Sequence, residues 1–246
     1  MDTVAILQHE ASQGPGYLLS YLHSQGIACE VIQAAQGQTL PRWISDYRGL
    51  VVLGSNHSVN EELPWIAAEL ELVRQAVALD VPVLGHCFGG QLLARALGAR
   101  VHRNAWPNIG WSQLWVTPAG RDLFAGQRQA TMFNWHHDTF EIPSGAQRIL
   151  FGSHCLNKGF ALGKHLGLQS HLEVTEDSVR AWCRESRDEI AHSLALGHGR
   201  TVQSEAEMLR ELPARTAELH RLAQGVYRHW VQGLRRPQQV HLHGGW

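Results

Sequence analysis

In Gly85-His86-Cys87-Phe88-Gly89 a cysteine is framed by glycines between an apolar run, Val81 to Leu84, and an amphipathic stretch that begins at Phe88. The spacing has the G-x-nucleophile-x-G form of a strand-to-helix elbow. Glycines there let strand and helix meet closely while the central side chain stands exposed on a strained backbone. A free thiol has a pKa of ~8.5, and a helix N-terminus or a neighbouring imidazolium lowers it, by ~1.4 kcal/mol per pH unit in favour of the anion. The backbone N–H of Phe88 points where a tetrahedral oxyanion would form, and losing one such donor typically costs ~3 kcal/mol of barrier. On the pentapeptide alone, a buried structural cysteine at a glycine-rich turn is the competing reading. Cys29, Cys155 and Cys183 lack a comparable frame and read as structural.

A thiolate that opens a carbon–nitrogen bond needs a general acid for the leaving amine, usually a histidine oriented by a carboxylate or amide. The chain has 16 histidines, so the choice rests on local context. In Leu168-Gln169-Ser170-His171-Leu172-Glu173 an apolar strand ends in His-x-Glu. Alternate strand residues face the same way, so Glu173 can reach His171, fix its tautomer and stabilise its imidazolium. A surface His/Glu pair is the alternative that spacing leaves open.

The elements that must position these groups follow from periodicity. Apolar runs alternate with helix-like stretches through the first half, which argues for an α/β fold with a mainly parallel sheet and crossover helices. Strands are expected at Val4–Leu7, Ala28–Ile32, Leu50–Leu53 and Val81–Leu84, with Pro82 near the start of the last. Helices are expected at Tyr17–Gln25, from Pro64 to near Asp80 with Ile66, Leu70, Val73 and Val77 on one face, and after Phe88. Shorter strands are expected at Trp111–Val116, around Met132 and Ile149, and at Leu166–Gln169. The pattern divides the chain into a domain over 1–192 and a C-terminal helical extension over 193–246. Ser204-x-x-Glu207 there resembles a capping box, and Pro213 is expected to break the first segment. Leu219, Leu222, Val226 and Trp230 form a stripe that packs on the domain or forms an interface, such as that of a homodimer. The residues from Pro237 on are expected to be disordered.

Composition narrows the function classes. The 246 residues suit one large α/β domain or a domain with an appendage, and 21 Lys+Arg against 22 Asp+Glu leave a formal charge of −1. Nothing suggests nucleic acid or an anionic membrane as principal partner. There is no run of about 18 apolar residues and no basic, apolar leader, so a cytoplasmic location is expected. Four widely spaced cysteines without a C-x-x-C pair read as reduced thiols. No zinc spacing occurs; His136-His137 and His241-x-His243 read as surface or packed histidines, and no metal is expected.

Five stretches taken together resemble the class I glutamine amidotransferases, and among them the stand-alone proteins similar to the glutaminase domain of GMP synthetase. They are Val51-Val52-Leu53-Gly54-Ser55 with Ser58-Val59; Pro82 to Gln91; Ile109-Gly110-Trp111; Trp135 to Phe140 with Pro143-x-Gly145-Ala146; and Gln169 to Val174. They occur in order over roughly residues 1 to 185. The resemblance implies a flavodoxin-like open sheet with helices on both faces. It makes Cys87 the nucleophile, His171 the acid/base and Glu173 its orienting carboxylate. The Phe88 N–H and the Gly54-Ser55 loop would form the oxyanion hole, and Gln91, Trp135 and His136 would lie at the substrate, the Trp135–Asp138 segment being equally open to a structural role. Three departures stand out. Gly54-Ser55 replaces the family's two glycines, which puts the loop in question if its second position needs positive φ. His171-Leu172-Glu173 replaces His-Pro-Glu. Asn157-Lys158-Gly159-Phe160 replaces Asn-Gln-Ala-Phe, so that Lys158 either alters the pocket's charge preference or is simply solvated.

The reaction implied is hydrolysis of the γ-amide of glutamine through a γ-glutamyl thioester, with no metal or organic cofactor. No P-loop or ATP pyrophosphatase segment is present, so ammonia transfer would require a separate synthetase chain. The same triad could instead cleave γ-glutamyl peptides or conjugates. A non-catalytic regulatory module is a third reading, and a redox protein with an elbow cysteine a fourth, disfavoured because Phe88 rather than histidine follows the thiol.

Overall fold

The computed structural model describes residues 2–235. The end from Pro237, with His241 and His243, lies outside the described residues. Nine strands form one sheet: β1 (Thr3–Leu7), β2 (Ala28–Ile32), β3 (Gly49–Val52), β4 (Val83–His86), β5 (Val101–Val116), β6 (Gln129–Phe140), β7 (Gln147–Phe151), β8 (Gly159–Leu162) and β9 (His165–Leu168). Their order is β2-β1-β3-β4-β9-β8-β7-β5-β6. The pairs from β2 through β9 are parallel, and those from β9 to β6 are antiparallel. The expected α/β fold with helices on both faces is therefore observed, and its parallel half carries the elbow. Beyond β9 the strands turn back through short connections, which antiparallel pairing allows without crossover helices.

Strand alternation sends side chains into two cores. Val4, Ile6, Val51, Leu53, Leu84, Leu166 and Leu168 belong to one, and Ala5, Leu7, Leu50, Val52, Val83 and Phe160 to the other. The first is covered by α1 (Gly16–Ser24), α4 (Glu176–Glu185), α5 (Arg187–Ala195), α6 (Glu205–Leu209) and α7 (Leu212–Gln232), the second by α2 (Pro64–Ala78) and α3 (Phe88–Ala96). Central parallel strands buried on both faces read as continuous apolar runs, which is why the sequence reveals them.

Several expectations shift. β4 starts at Val83, because Pro82 has no N–H to give the ladder and contributes only its carbonyl, which accepts from Leu50 N–H at 2.9 Å. β5 and β6 run for 16 and 12 residues, longer than expected, since their outer ends (His102, Arg103; His136, His137, Asp138) are polar and carry no apolar run. Pro213 lies in the first turn of α7 and opens that helix instead of breaking one. The change near residue 193 is not an element boundary: α5 runs across it, and helices follow the sheet from Glu176. Leu219, Leu222, Val226 and Trp230 are buried in the same core as β1 and β4, so the stripe packs on the domain. Ser204 and Glu207 form the expected capping box. Ile109-Gly110-Trp111 faces this helical segment: Trp111 N–H donates to Gln203 Oε1 at 2.8 Å and its indole N–H to the Met208 carbonyl at 3.0 Å.

Candidate active site

Loops at the carboxyl ends of β1, β3, β4 and β9 converge on one cleft, where open α/β sheets generally place ligands. Cys87 sits between β4 and α3 at φ 50° and ψ −107°, the strained conformation expected of an elbow nucleophile. The glycines make it sterically feasible. A Cβ on Gly85 would lie 2.3 Å from the Gly89 carbonyl oxygen, and one on Gly89 would lie 2.0 Å from that of Val52. The Cys87 thiol donates to the Trp135 carbonyl at 3.4 Å and accepts from Gln169 Nε2 at 3.7 Å. Burial pushes the thiols of Cys29 and Cys183 up to about 11, which leaves them poor nucleophiles.

His171 and Glu173 follow β9, which ends at Leu168, one residue earlier than expected. The backbone bends on either side of His171, which makes an isolated bridge to Phe133 on β6, its N–H donating to the Phe133 carbonyl at 2.9 Å. The two side chains face each other as anticipated, with His171 Nδ1–H donating to Glu173 Oε1 at 2.7 Å, both buried. Burial opposes charge on the imidazole, but the Glu173 carboxylate, the Cys87 sulfur and hydrogen bonds to both raise the His171 pKa to about 10. Burial likewise disfavours the Glu173 carboxylate, yet His86 and His171 hold its pKa below the usual value. Trp182 of α4 packs edge-on to His171 at 4.8 Å and fixes the ring plane.

The cleft encloses about 600 Å³, and Cys87, Phe88, Ser55, Gln91, Trp135, His136 and His171 all line it. Glu173 lies behind His171. Gly54 and Ser55 both have φ outside the left-handed region, so the loop does not need a second glycine for its conformation. Gly54 is needed for space: a Cβ there would meet His171 Cε1 at 2.8 Å. The loop is held from beneath by a pair that sequence reasoning missed. His9 Nδ1–H donates to the Gly54 carbonyl at 2.8 Å, and Nε2 faces the Glu69 carboxylate at 3.0 Å, both side chains fully buried. Sixty residues separate the two, and neither belongs to a local motif.

Gln91 braces the far wall, its Nε2 donating to the Asp138 carbonyl at 3.1 Å and to Gln169 Oε1 at 3.3 Å. Trp135 Nε1–H donates to Glu189 Oε2 at 3.1 Å. His136 donates from Nδ1 to the Asp138 carbonyl at 2.9 Å and accepts at Nε2 from Lys158 Nζ at 2.7 Å, which makes it a neutral acceptor in one tautomer. Lys158 is not solvated. It is 1% exposed and also donates to Asn108 Oδ1 and Asn134 Oδ1, at 2.9 and 3.0 Å. Burial lowers its pKa to about 8, against the opposing influence of Cys155 and Cys87. Desolvation, then Lys158, keep the His136 pKa well below its ordinary value. Among the described residues, no group of three or more His, Cys, Asp or Glu side chains is arranged to hold a metal, and no helix is long and apolar enough to cross a membrane.

A thiol on a strained elbow, a buried imidazole–carboxylate pair and backbone donors at a helix N-terminus are the parts of a nucleophilic acyl-transfer site. Comparison with known proteins identifies the family. A solved glutamine amidotransferase structure from Methylobacillus flagellatus superposes on 99% of this chain and 99% of its own, with a TM-score of 0.92 and 38% identity. A glutamine amidotransferase-like protein of Salmonella typhimurium is 29% identical over 214 residues, 83% of this chain and 88% of its own. Gamma-glutamyl peptidase 4 of Arabidopsis thaliana is 37% identical over 142 residues, 54% of this chain and 57% of its own. The family model for glutamine amidotransferase class-I matches residues 15–181, more than half of the sequence, and the chain belongs to that family.

Proposed function

We propose that the protein is a cysteine hydrolase that cleaves a γ-glutamyl amide through a γ-glutamyl thioester. The observation that carries this reading is the meeting in one cleft of Cys87 on its strained elbow and the His171–Glu173 pair at 2.7 Å. In the first step the Cys87 thiolate attacks the γ-carbonyl carbon, and the oxyanion is met by the Phe88 N–H and the Gly54-Ser55 loop. The C–N bond then breaks, with the imidazolium of His171 protonating the departing amine. Water attacks the thioester, giving its proton to His171, and glutamate leaves as the C–S bond breaks. Glu173 holds the His171 tautomer with Nε2 toward the sulfur. Gln91, Trp135 and His136 form the wall against which the amino-acid end of the substrate binds.

Free glutamine is one substrate of this chemistry, and ammonia transfer would then require a separate synthetase chain. The cleft volume favours keeping a second reading. About 600 Å³ falls in the range that accommodates drug-sized ligands, leaving room beyond the amide nitrogen for the remainder of a γ-glutamyl peptide or conjugate. The similarity to a gamma-glutamyl peptidase supports the same alternative. Glutamate release from glutamine, glutathione and other γ-glutamyl peptides, by the native protein and by Cys87→Ala, separates the two. Release must depend on Cys87. Preference for glutamine supports the glutaminase, and preference for peptides the γ-glutamyl hydrolase. No release from any of them, together with no trapping of Cys87 by a glutamine-analogue electrophile, would sink both and leave a non-catalytic module.

A further inference from the structure

The carboxylate of Glu173 has two oxygens, and the triad uses one. Oε1 accepts from His171, while Oε2 is buried with no hydrogen-bond partner. Directly facing it is His86, the residue before the nucleophile, with Nε2 at 3.9 Å from Oε2. Strand alternation explains the placement: His86 shares with Leu84 the face of β4 covered by α7, whereas the backbone turns at Cys87 to present the thiol to the cleft. His86 is fully buried, and neither ring nitrogen has a partner. Its ring stands edge-on to Tyr227 of α7 at 6.0 Å, and the Tyr227 hydroxyl is likewise buried without a partner. Buried polar atoms without a partner are rare in folded proteins, so the three on His86 and Tyr227 gathered beside the unpaired Oε2 of Glu173 are unlike ordinary core packing.

We propose that His86 is a positioning residue of the catalytic centre, its Nε2–H serving as the donor to Glu173 Oε2, so that the thiol, His171, Glu173 and His86 act as one chain of four. Closing the distance to a hydrogen bond takes a shift of about 1 Å. A second donor fixes the carboxylate plane and keeps Glu173 ionised while His171 takes and returns the substrate's protons. Burial drives the His86 pKa down, with Glu173 opposing and His171 adding to the effect, so the ring is neutral and offers one N–H. The titratable groups facing this centre are His171 and Glu173 from the segment after β9 and Tyr227 from α7, with Tyr17 and Tyr21 of α1 beyond Tyr227. Cys183, the redox-capable thiol in the same core, contacts Met208 rather than this cluster.

The inference rests on Cys87 being the nucleophile, and the experiment tests the two separately. In the full-length protein, the rate of iodoacetamide labelling at Cys87 is followed by mass spectrometry from pH 5 to 9, beside kcat and KM for γ-glutamyl substrates. If native Cys87 labels no faster than Cys29 throughout, the nucleophile reading fails whatever His86 does. If it is activated, His86→Leu should move the labelling midpoint up by about one pH unit. Without the donor Glu173 protonates more readily and the thiolate–imidazolium pair forms later; kcat should fall about tenfold with KM little changed. His86→Gln, which keeps an N–H donor, should restore the midpoint, whereas a packing defect alone would not respond to the amide. Equal midpoints in native, His86→Leu and His86→Gln proteins would overturn the proposal, as would equal shifts in both variants. Should His86→Leu fail to fold, His86→Asn against His86→Gln carries the test: the shorter amide falls short of Oε2, and identical midpoints for the two would overturn it.

Discussion

Lys158 offers the sharpest quantitative test of the site's architecture. It is a buried cation with three neutral acceptors, Asn108, Asn134 and His136, and no carboxylate among its hydrogen-bond partners. Its pKa falls from 10.5 to about 8, chiefly because burial disfavours the charge. At ~1.4 kcal/mol per pH unit this corresponds to about 3 kcal/mol. Between pH 8 and 10.5 the unfolded chain holds the Lys158 proton and the folded chain does not, so the unfolded state binds more protons and stability rises with pH. Below pH 8 both states are protonated and the full penalty applies. Lys158→Met removes the penalty but leaves Asn108 Oδ1 and His136 Nε2 without their donor, at ~1–3 kcal/mol each, while Asn134 Oδ1 keeps the Ser170 hydroxyl, so at pH 7 the variant should be no more stable than the native protein. Above pH 8 the native protein should gain up to about 3 kcal/mol relative to the variant. Urea unfolding of both proteins at intervals from pH 7 to 10.5, compared as a difference, cancels the tyrosines and the remaining lysines. Parallel curves across that range would refute the account of Lys158 as a buried cation. A change in the opposite direction would mean that an anion pairs with it.

Three further outcomes follow from the same geometry. Glycine usually destabilises relative to alanine, but at φ 50° the order should invert, with Cys87→Gly melting above Cys87→Ala by roughly 1 kcal/mol while both lose glutamate release; the normal order would argue against backbone strain at the elbow. Glu69→Leu leaves the His9 ring nitrogen buried without its partner and should cost ~1–3 kcal/mol in chemical denaturation; no measurable loss would show that the pair does not brace the Gly54 loop. Glu173→Gln removes the group that raises the His171 pKa to about 10, so the imidazolium should titrate at lower pH in NMR, and an unchanged value would mean that Cys87 alone sustains it.

Much of the fold was legible because its central strands are buried on both faces and its helices on one, and these two patterns leave different periodicities in the chain. Val4–Leu7 and the Pro64 helix came within a residue or two of the observed elements on that basis, and Ala28–Ile32, a half-exposed edge strand, was found at its observed bounds. The outer halves of β5 and β6 escaped notice, because polar residues such as His102, Arg103, His136, His137 and Asp138 break the apolar signal there. β8 also escaped, a four-residue strand that begins at Gly159 and has too little sequence to register a period.

For the site, the sequence by itself determined what is local: the glycine-framed thiol at an elbow, and a histidine and a carboxylate two residues apart. Those relations live within a few residues of chain, where backbone geometry leaves few choices. Only the tertiary structure decided what those groups meet. It brought His171 and Cys87 to one cleft and His9 and Glu69 beneath the Gly54 loop. It also set the ammonium of Lys158 against His136, and the ring of His86 against the unused oxygen of Glu173. Each of these relations pairs residues from distant segments. Burial then changes their protonation, because the cost of a buried charge depends on every neighbour that the fold supplies.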